Sequence, residues 1–387
     1  MNSQRRNNMV GLKYLIEKME LIEIEMPLVH PFRTSFETET SNQAIIVKLT
    51  DTEGNIGWGE TAISANPGYC YETTRTAWHI QNDFIFPIMR EFQKKNETFE
   101  IQECMKVWNA VRGHEFAKGG IEAAMWSLKA EQDNQSLSEI YEGTKSKIPT
   151  GVSIGIQNTI QELIERIGKF LNLGYHRIKI KIEPGWDIEV VKAIRKEYGD
   201  IQLMVDANSA YTLSDKDLNV MKSLDKFEMM MIEQPLAYND ILMHKKLQSI
   251  INTPVCLDES IHDPKNAELA LEYDCCRIIN IKPGRVGGYY NALKIAKNAG
   301  PGKVWCGGQL ETGIGRIHNL CLQSNENFTI PGDTSASDRY YAKDIIDPEV
   351  VVNSKGYISV PKGKGLGIDV KEDRISEYTR QSVSLEM

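Results

Sequence analysis

The 387-residue sequence has no run approaching the roughly 18 apolar residues that a membrane-spanning helix needs, so no transmembrane segment is expected. It has no excess of positive charge either. The balance of 45 basic against 53 acidic residues leaves a net charge of -8, which argues against a nucleic-acid partner. Its seven cysteines, at positions 70, 104, 256, 275, 276, 306 and 321, are odd in number and include no C-x-x-C pair, so neither a disulfide framework nor a structural zinc site is indicated. The seven histidines show no metal-ligand spacing, and neither the P-loop nor the dinucleotide fingerprint occurs. The opening MNSQRRNNMVGLK carries two arginines with no apolar stretch behind them; no secretory signal is expected, and the cytoplasm is the expected compartment.

What is present is an ordinary globular composition, 41% apolar and 25% charged. At this length one core of ordinary size is too small, whereas a barrel of about 200 to 250 residues with a smaller domain fits. The segment from Tyr175 to Gly284 supplies such a barrel's repeat. Five apolar runs, RIKIKI from Arg177, LMVDAN from Leu203, MMIEQP from Met230, VCLDES from Val255 and IINIKP from Ile278, each end in a charged residue: Lys181, Asp206, Glu233, Asp258 and Lys282. Their spacings are 25, 27, 25 and 24 residues, the length of a strand, a crossover helix and two loops, so consecutive βα units with parallel strands are expected.

Alternate residues of a strand share a face. Lys179 therefore lies beside Lys181, opposite Ile178 and Ile180; Met204, Asp206 and Asn208 lie together, opposite Leu203 and Val205; and Asn280 pairs with Lys282. A face that turns polar toward the strand's C-terminal end suits a barrel with its site at the top. An open doubly wound sheet with charged strand ends is the alternative that spacing leaves open. Three carboxylates on consecutive strand ends repel one another in a sheltered cavity unless a cation offsets them, and their oxygens suit a hard divalent ion, with Mg²⁺ as the natural candidate and Mn²⁺ as a substitute. A cation to hold a substrate carboxylate, with an amine on either side, is apparatus for taking a proton α to that carboxylate.

KIKIEPGWD from Lys179, VDANSAY from Val205, MIEQPL from Met231, CLDES from Cys256, IINIKPGRVGG from Ile278 and VWCGGQLETGIGR from Val304 together resemble the enolase superfamily, in the muconate-lactonizing-like branch that holds o-succinylbenzoate synthases and N-acylamino acid racemases. The resemblance runs from about Met19 to the C-terminal region. It implies an α/β fold, a modified TIM barrel (β/α)7β with an α+β N-terminal capping domain. It also implies Lys181 and Lys282 as the acid/base pair, Asp206, Glu233 and Asp258 as ligands of Mg²⁺, and Lys179 and Asn208 as supporting residues. The activity implied is dehydration of a cyclohexadiene carboxylate on the route to menaquinone, or two-base racemisation of N-succinylamino acids, or both. A silent metal-binding protein on the same fold is the alternative from another class, and the retained lysine pair argues against it. The partners expected are a small-molecule carboxylate and further copies of the chain, with no nucleic acid and no membrane.

The domains expected are an N-terminal extension over 1–17, a capping domain over 18–145, the barrel over 146–345 and a C-terminal segment over 346–387 that returns to the capping domain. In the capping domain three strands, from Met19, Ser41 and Asn55, form an antiparallel meander with a turn at Asp51 and Gly54. His30 to Thr40 reads as a loop too long for a tight hairpin; by the resemblance it reaches over the barrel mouth. Helices are expected at Thr73–Phe92, Phe99–Val111 and Ala117–Ala130. IPTGVSIGI from Ile148 is the first barrel strand, where Ser153 either faces the substrate, as the resemblance implies, or is a buried hydroxyl bonded to backbone. VWCGG is the seventh strand, NFTIPGD from Asn327 the eighth element, and 350–370 a β-hairpin. Gln309 stands where the resembled family leads one to expect an apolar side chain, which bears on the side-chain pocket and not on the proton chemistry.

Overall fold

The computed structural model of the chain describes residues 11–387. Of the expected N-terminal extension, residues 1–10 lie outside the described residues, and 11–17 is packed instead of frayed. Leu12 is buried and bridges Phe99, and Ile16, also buried, begins the first strand. Both join the main core, and Leu15 packs against it.

Strands β1 (Ile16–Arg33), β2 (Thr38–Asp51) and β3 (Ile56–Ala62) make the antiparallel meander, with Met19, Leu21, Ile24 and Met26 turned to the core. The turn between β2 and β3 is closed by Asp51 Oδ1, which accepts from the backbone N–H groups of Glu53 and Asn55. The polar stretch His30–Thr40 is not a long loop. β1 and β2 run through it, with Phe32 paired to Glu39 and Arg33 to Thr38, and leave a four-residue tip, Thr34 to Glu37. An arm wetted by solvent on one side and by a polar cavity on the other carries no apolar stripe, which is why pattern alone reads it as a loop.

The helical part of the capping domain comprises α1 (Thr74–Ile80), α2 (Phe86–Gln93), α3 (Ile101–Trp108), α4 (Glu115–Asp133) and α5 (Leu137–Ile140). The single helix expected over Thr73–Phe92 is divided by a π turn at Gln81–Ile85, just before Pro87, whose ring and missing N–H disturb the regular ladder. α4 lies against β3 at backbone distance: a Cβ on Gly59 would stand 2.2 Å from the carbonyl oxygen of Gly120.

After β4 (Lys147–Pro149) the barrel begins at β5 (Gly151–Ile154) and alternates thereafter: α6 (Ile160–Asn172), β6 (Arg177–Lys181), α7 (Ile188–Tyr198), β7 (Leu203–Asp206), α8 (Asp215–Leu224), β8 (Ile232–Glu233), α9 (Ile241–Gln248), β9 (Val255–Leu257), α10 (Pro264–Glu272), β10 (Ile278–Ile281), α11 (Tyr289–Ala299), β11 (Val304–Cys306) and α12 (Gly313–Gln323). β5 to β11 pair in chain order, all parallel. An eighth element at Gly332 and Asp333 joins the two edges. The Asp333 N–H donates to Cys306 O (2.9 Å), and the Gly151 N–H donates to Gly332 O (2.8 Å). The structure is therefore the modified barrel, and not the open doubly wound sheet.

Strand parity decides what fills the interior. Met204, Met231, Cys256, Ile278 and Trp305 form an apolar plug separate from the main core, each two residues before a polar residue or glycine on the same strand face. Asp206, Glu233, Asp258 and Asn280 thus sit one layer above a dry floor. The tail does not form the expected hairpin. Instead β12 (Ile346–Asp347) pairs with β14 (Asp369–Val370), while β13 (Tyr357–Ser359) pairs with β4 at the barrel's lower end, where β4 offers a free edge. After α13 (Glu372–Tyr378), β15 (Thr379–Glu386) pairs antiparallel with β1 and completes the capping sheet. No helix among the described residues is long and apolar enough to cross a membrane.

Candidate active site

Lys181, Asp206, Glu233 and Asp258 arrive at the layer above the plug, and Lys282 stands two residues above Asn280 of that layer. In the parallel register Lys181 lies beside Asp206, and Asp206 beside Glu233. Lys181 Nζ donates to Asp206 Oδ2 (2.6 Å) and to Asn208 Oδ1 (2.7 Å). Asn208, in a left-handed conformation just past β7, is held by its own N–H on Asp206 Oδ1 (3.0 Å) and by Nδ2 donating to Glu259 Oε1 (2.8 Å). On the other side of the layer Lys282 Nζ lies 3.1 Å from Asp258 Oδ2, donates to Gln309 Oε1 (3.0 Å) and sits 4.1 Å from the Tyr69 ring centroid. Lys179 is deeper, with Asp333 Oδ2 at 2.7 Å, Glu233 Oε2 at 3.0 Å, Asp206 Oδ2 at 3.5 Å and the Trp305 ring centroid at 4.8 Å. The like charge of neighbouring lysines, visible in strand parity, is thus divided among separate carboxylates.

The charges are tuned by burial and by one another. Burial alone would lower the Lys179 ammonium, but Asp333, Glu233 and Asp206 raise it well above the ordinary lysine value. It is a fixed cation. Burial would raise Asp258, but Lys282, Arg285 and Lys179 outweigh it and hold the carboxyl down to about 2. Asp206 is lowered in the same way, with burial opposed by Lys181 and then Lys179. Glu233 goes the other way, pushed up to about 8 by burial and by the negative charge of Asp206, despite Lys179.

Among the described residues no three His, Cys, Asp or Glu side chains are arranged as a ready metal shell, because the carboxylates are turned toward lysines. The donor chemistry nevertheless fits a hard divalent cation. Asp206, Glu233 and Asp258 are buried carboxylates on adjacent strand ends. Asp258 Oδ2 is buried and, beside its ion pair with Lys282, has no hydrogen bond.

Above this layer lies a cavity lined by Lys181, Lys282, Ser153, Asn208 and the hairpin tip. Ser153 Oγ is buried and unbonded, so it is not the backbone-satisfied hydroxyl of the alternative reading. The arm docks on the barrel through β1, with the Ile156 N–H donating to Arg33 O (2.9 Å), and presents Phe36 and Glu37 of its tip and Glu39 of β2 to the cavity. Burial, then the neighbouring Glu39, push Glu37 up to about 7. Sequence reading missed several residues of this site. Tyr69 donates to Asp258 Oδ1 (2.9 Å) and accepts from Arg285, which is itself an ion-pair partner of Asp258. Asp333 is shared by Lys179 and Arg177. Of these, Arg285 was reachable: it lies three residues past Lys282 at the same strand end.

Residues 18–141 match the family described as mandelate racemase / muconate lactonizing enzyme, N-terminal domain, and residues 162–374 match the family described as enolase C-terminal domain-like. The chain is 44% identical to an o-succinylbenzoate synthase of Geobacillus stearothermophilus, over 94% of this chain and 96% of the relative. It is 41% identical to an N-succinylamino acid racemase of Amycolatopsis, over 94% of this chain and 98% of the relative. The crystal structure of an enolase superfamily member from Listeria innocua superposes with a TM-score of 0.91 at 36% identity, covering 96% of this chain and 99% of that one.

Proposed function

The chain belongs to the enolase superfamily, with both domains of its mandelate racemase / muconate lactonizing enzyme branch, and from that premise we propose that it is an o-succinylbenzoate synthase. Enzymes of this branch are metal-dependent. The reaction removes water from 2-succinyl-6-hydroxy-2,4-cyclohexadiene-1-carboxylate, a step toward menaquinone. One observation carries the reading: Lys181 and Lys282 line a single cavity from β6 and the end of β10, with the trio Asp206, Glu233 and Asp258 on the strands between them.

Asp206, Glu233 and Asp258 would hold Mg²⁺, which would supply positive charge to a substrate carboxylate that becomes electron-rich. Lys181, oriented by Asp206 and Asn208, takes the α proton. The C–H electrons move into the ring, the C–O bond breaks, and the departing hydroxide takes that proton back from Lys181 on the same face and leaves as water. Lys282, an ammonium fixed by Asp258 and Gln309, faces the developing negative charge and opposes it. Lys179 and Asp333 keep the floor of the site charge-balanced and dry, while the hairpin tip with Phe36 restricts water at the mouth.

A second reading, N-succinylamino acid racemase, is favoured by the Amycolatopsis relative and by the same lysine pair, which suits one proton delivered and one removed at Cα. Proton NMR in D₂O with Mg²⁺ separates the two, with the cyclohexadiene substrate and N-succinylamino acids presented in parallel. Dehydration with little α-deuteration is the outcome expected of the synthase; fast α-deuteration of both enantiomers without dehydration makes it a racemase. Turnover of neither, unaffected by chelator, defeats both.

A further inference from the structure

Gln309 lines the cavity beside Lys282 and is the uncharged group that hydrogen-bonds that ammonium, at 3.0 Å through Oε1. An ammonium has donors and no acceptor, so the carboxamide oxygen must face it, and the NH₂ half must turn elsewhere. Among the described residues Nε2 donates to no protein group, and Gln309 is only partly buried. Two unspent donors therefore stand in the wall of a substrate cavity.

The turn that carries Gln309 is held from the capping domain, through Asn42 and Glu60, and by Tyr341 of the barrel. Leu310, next in sequence, is in a left-handed conformation, and its carbonyl accepts from Asn42 Nδ2 (2.9 Å) and from the Tyr341 hydroxyl. Two residues further on, Glu60 accepts from the Thr312 N–H (2.9 Å) and from the Thr312 hydroxyl (2.6 Å). The carboxamide is thus presented from a fixed backbone. The other partners of Lys282 are the Asp258 carboxylate, at 3.1 Å, and the face of Tyr69, so Gln309 is its one uncharged hydrogen-bond acceptor among the described residues.

We propose that Gln309 is a positioning residue for Lys282 and that its free NH₂ selects substrates bearing a hydrogen-bond acceptor on the Lys282 side of the reacting carbon. This rests on the lysine-pair reading above. A site built to hydrogen-bond a substrate group discriminates against analogues that leave its donors unpaired.

The test is Q309M, with Q309N as a second variant that withdraws the carboxamide by one methylene. α-Deuteration in D₂O with Mg²⁺ is followed for both enantiomers of N-succinyl-glutamine and of N-succinyl-leucine, and dehydration of the cyclohexadiene substrate is followed alongside. Wild-type enzyme should favour the glutamine derivative, and both variants should lose that preference by about tenfold. Exchange from the enantiomer whose proton faces Lys282, identified with K282A, should fall about tenfold relative to the other enantiomer. If wild type only dehydrates, the variants should lower kcat by a similar factor with KM little changed. Unaltered ratios and unaltered kcat, or an equal fall for both enantiomers, overturn the proposal. A wild type that neither exchanges nor dehydrates overturns the parent reading instead.

Discussion

Glu122 of α4 is wholly buried and joins the capping domain to the barrel by capping α11, whose own N-cap is Gly288. Oε2 accepts from the Tyr289 N–H and Oε1 from the Tyr290 N–H, both at 2.8 Å, and Oε1 also accepts from Trp126 Nε1 (2.6 Å). Gly288 is required there, because it has φ +123 and a Cβ on it would stand 2.5 Å from the Glu122 carboxyl carbon. E122A strips three donors of their acceptor. At about 1–2 kcal/mol each, less the relief of removing a buried carboxylate, the net cost is about 3 kcal/mol, or roughly 6 °C in Tm for a chain of this size. E122Q keeps one oxygen for two donors and sets its NH₂ against a third, so its cost is about 1–2 kcal/mol. Burial lifts the Glu122 carboxyl from 4.5 to about 7, against the pull of the Tyr290, Tyr289 and Trp126 donors. An acid raised in this way contributes most below pH 4.5, and its contribution is lost as pH rises through 7. The Tm gap between wild type and E122Q should therefore be wider at pH 5 than at pH 8. Calorimetry at both pH values checks this; a Tm for E122A within 2 °C of wild type at pH 7, or a gap that widens with pH, refutes the reasoning.

K181A should cut turnover by at least about 10³ while Mg²⁺ binding by titration calorimetry persists, and near-normal turnover would remove Lys181 from the mechanism. K282A should abolish any racemisation in both directions, since a two-base route has no substitute for it; racemisation that survives in either direction counts against that route. D333N leaves Lys179 and Arg177 short of a shared buried carboxylate. It should cost about 3 kcal/mol in denaturant unfolding, and an unmoved midpoint would show that the cluster contributes little to folding.

The repeat of charged strand ends and the strand parity were legible because both are local properties of the chain. A spacing near 25 residues admits one strand and one crossover helix, and alternate residues must share a face. The βα order and the inward set Lys179, Lys181, Asp206, Glu233, Asp258 and Lys282 follow from them. The arm through His30–Thr40 was misread because its strands face solvent and a polar cavity. The hairpin read at 350–370 failed because β13 found a partner in β4, about 200 residues earlier.

Local chemistry thus determined which residues face inward and in what order around the barrel. Tertiary structure alone decided which of them meet. Asp333 reaches Arg177 across 156 positions, Tyr69 reaches Asp258 across 189, and Gln309 reaches Lys282 across 27. Such pairings depend on where barrel closure and the capping domain bring segments together, and no periodicity in a single chain encodes that distance.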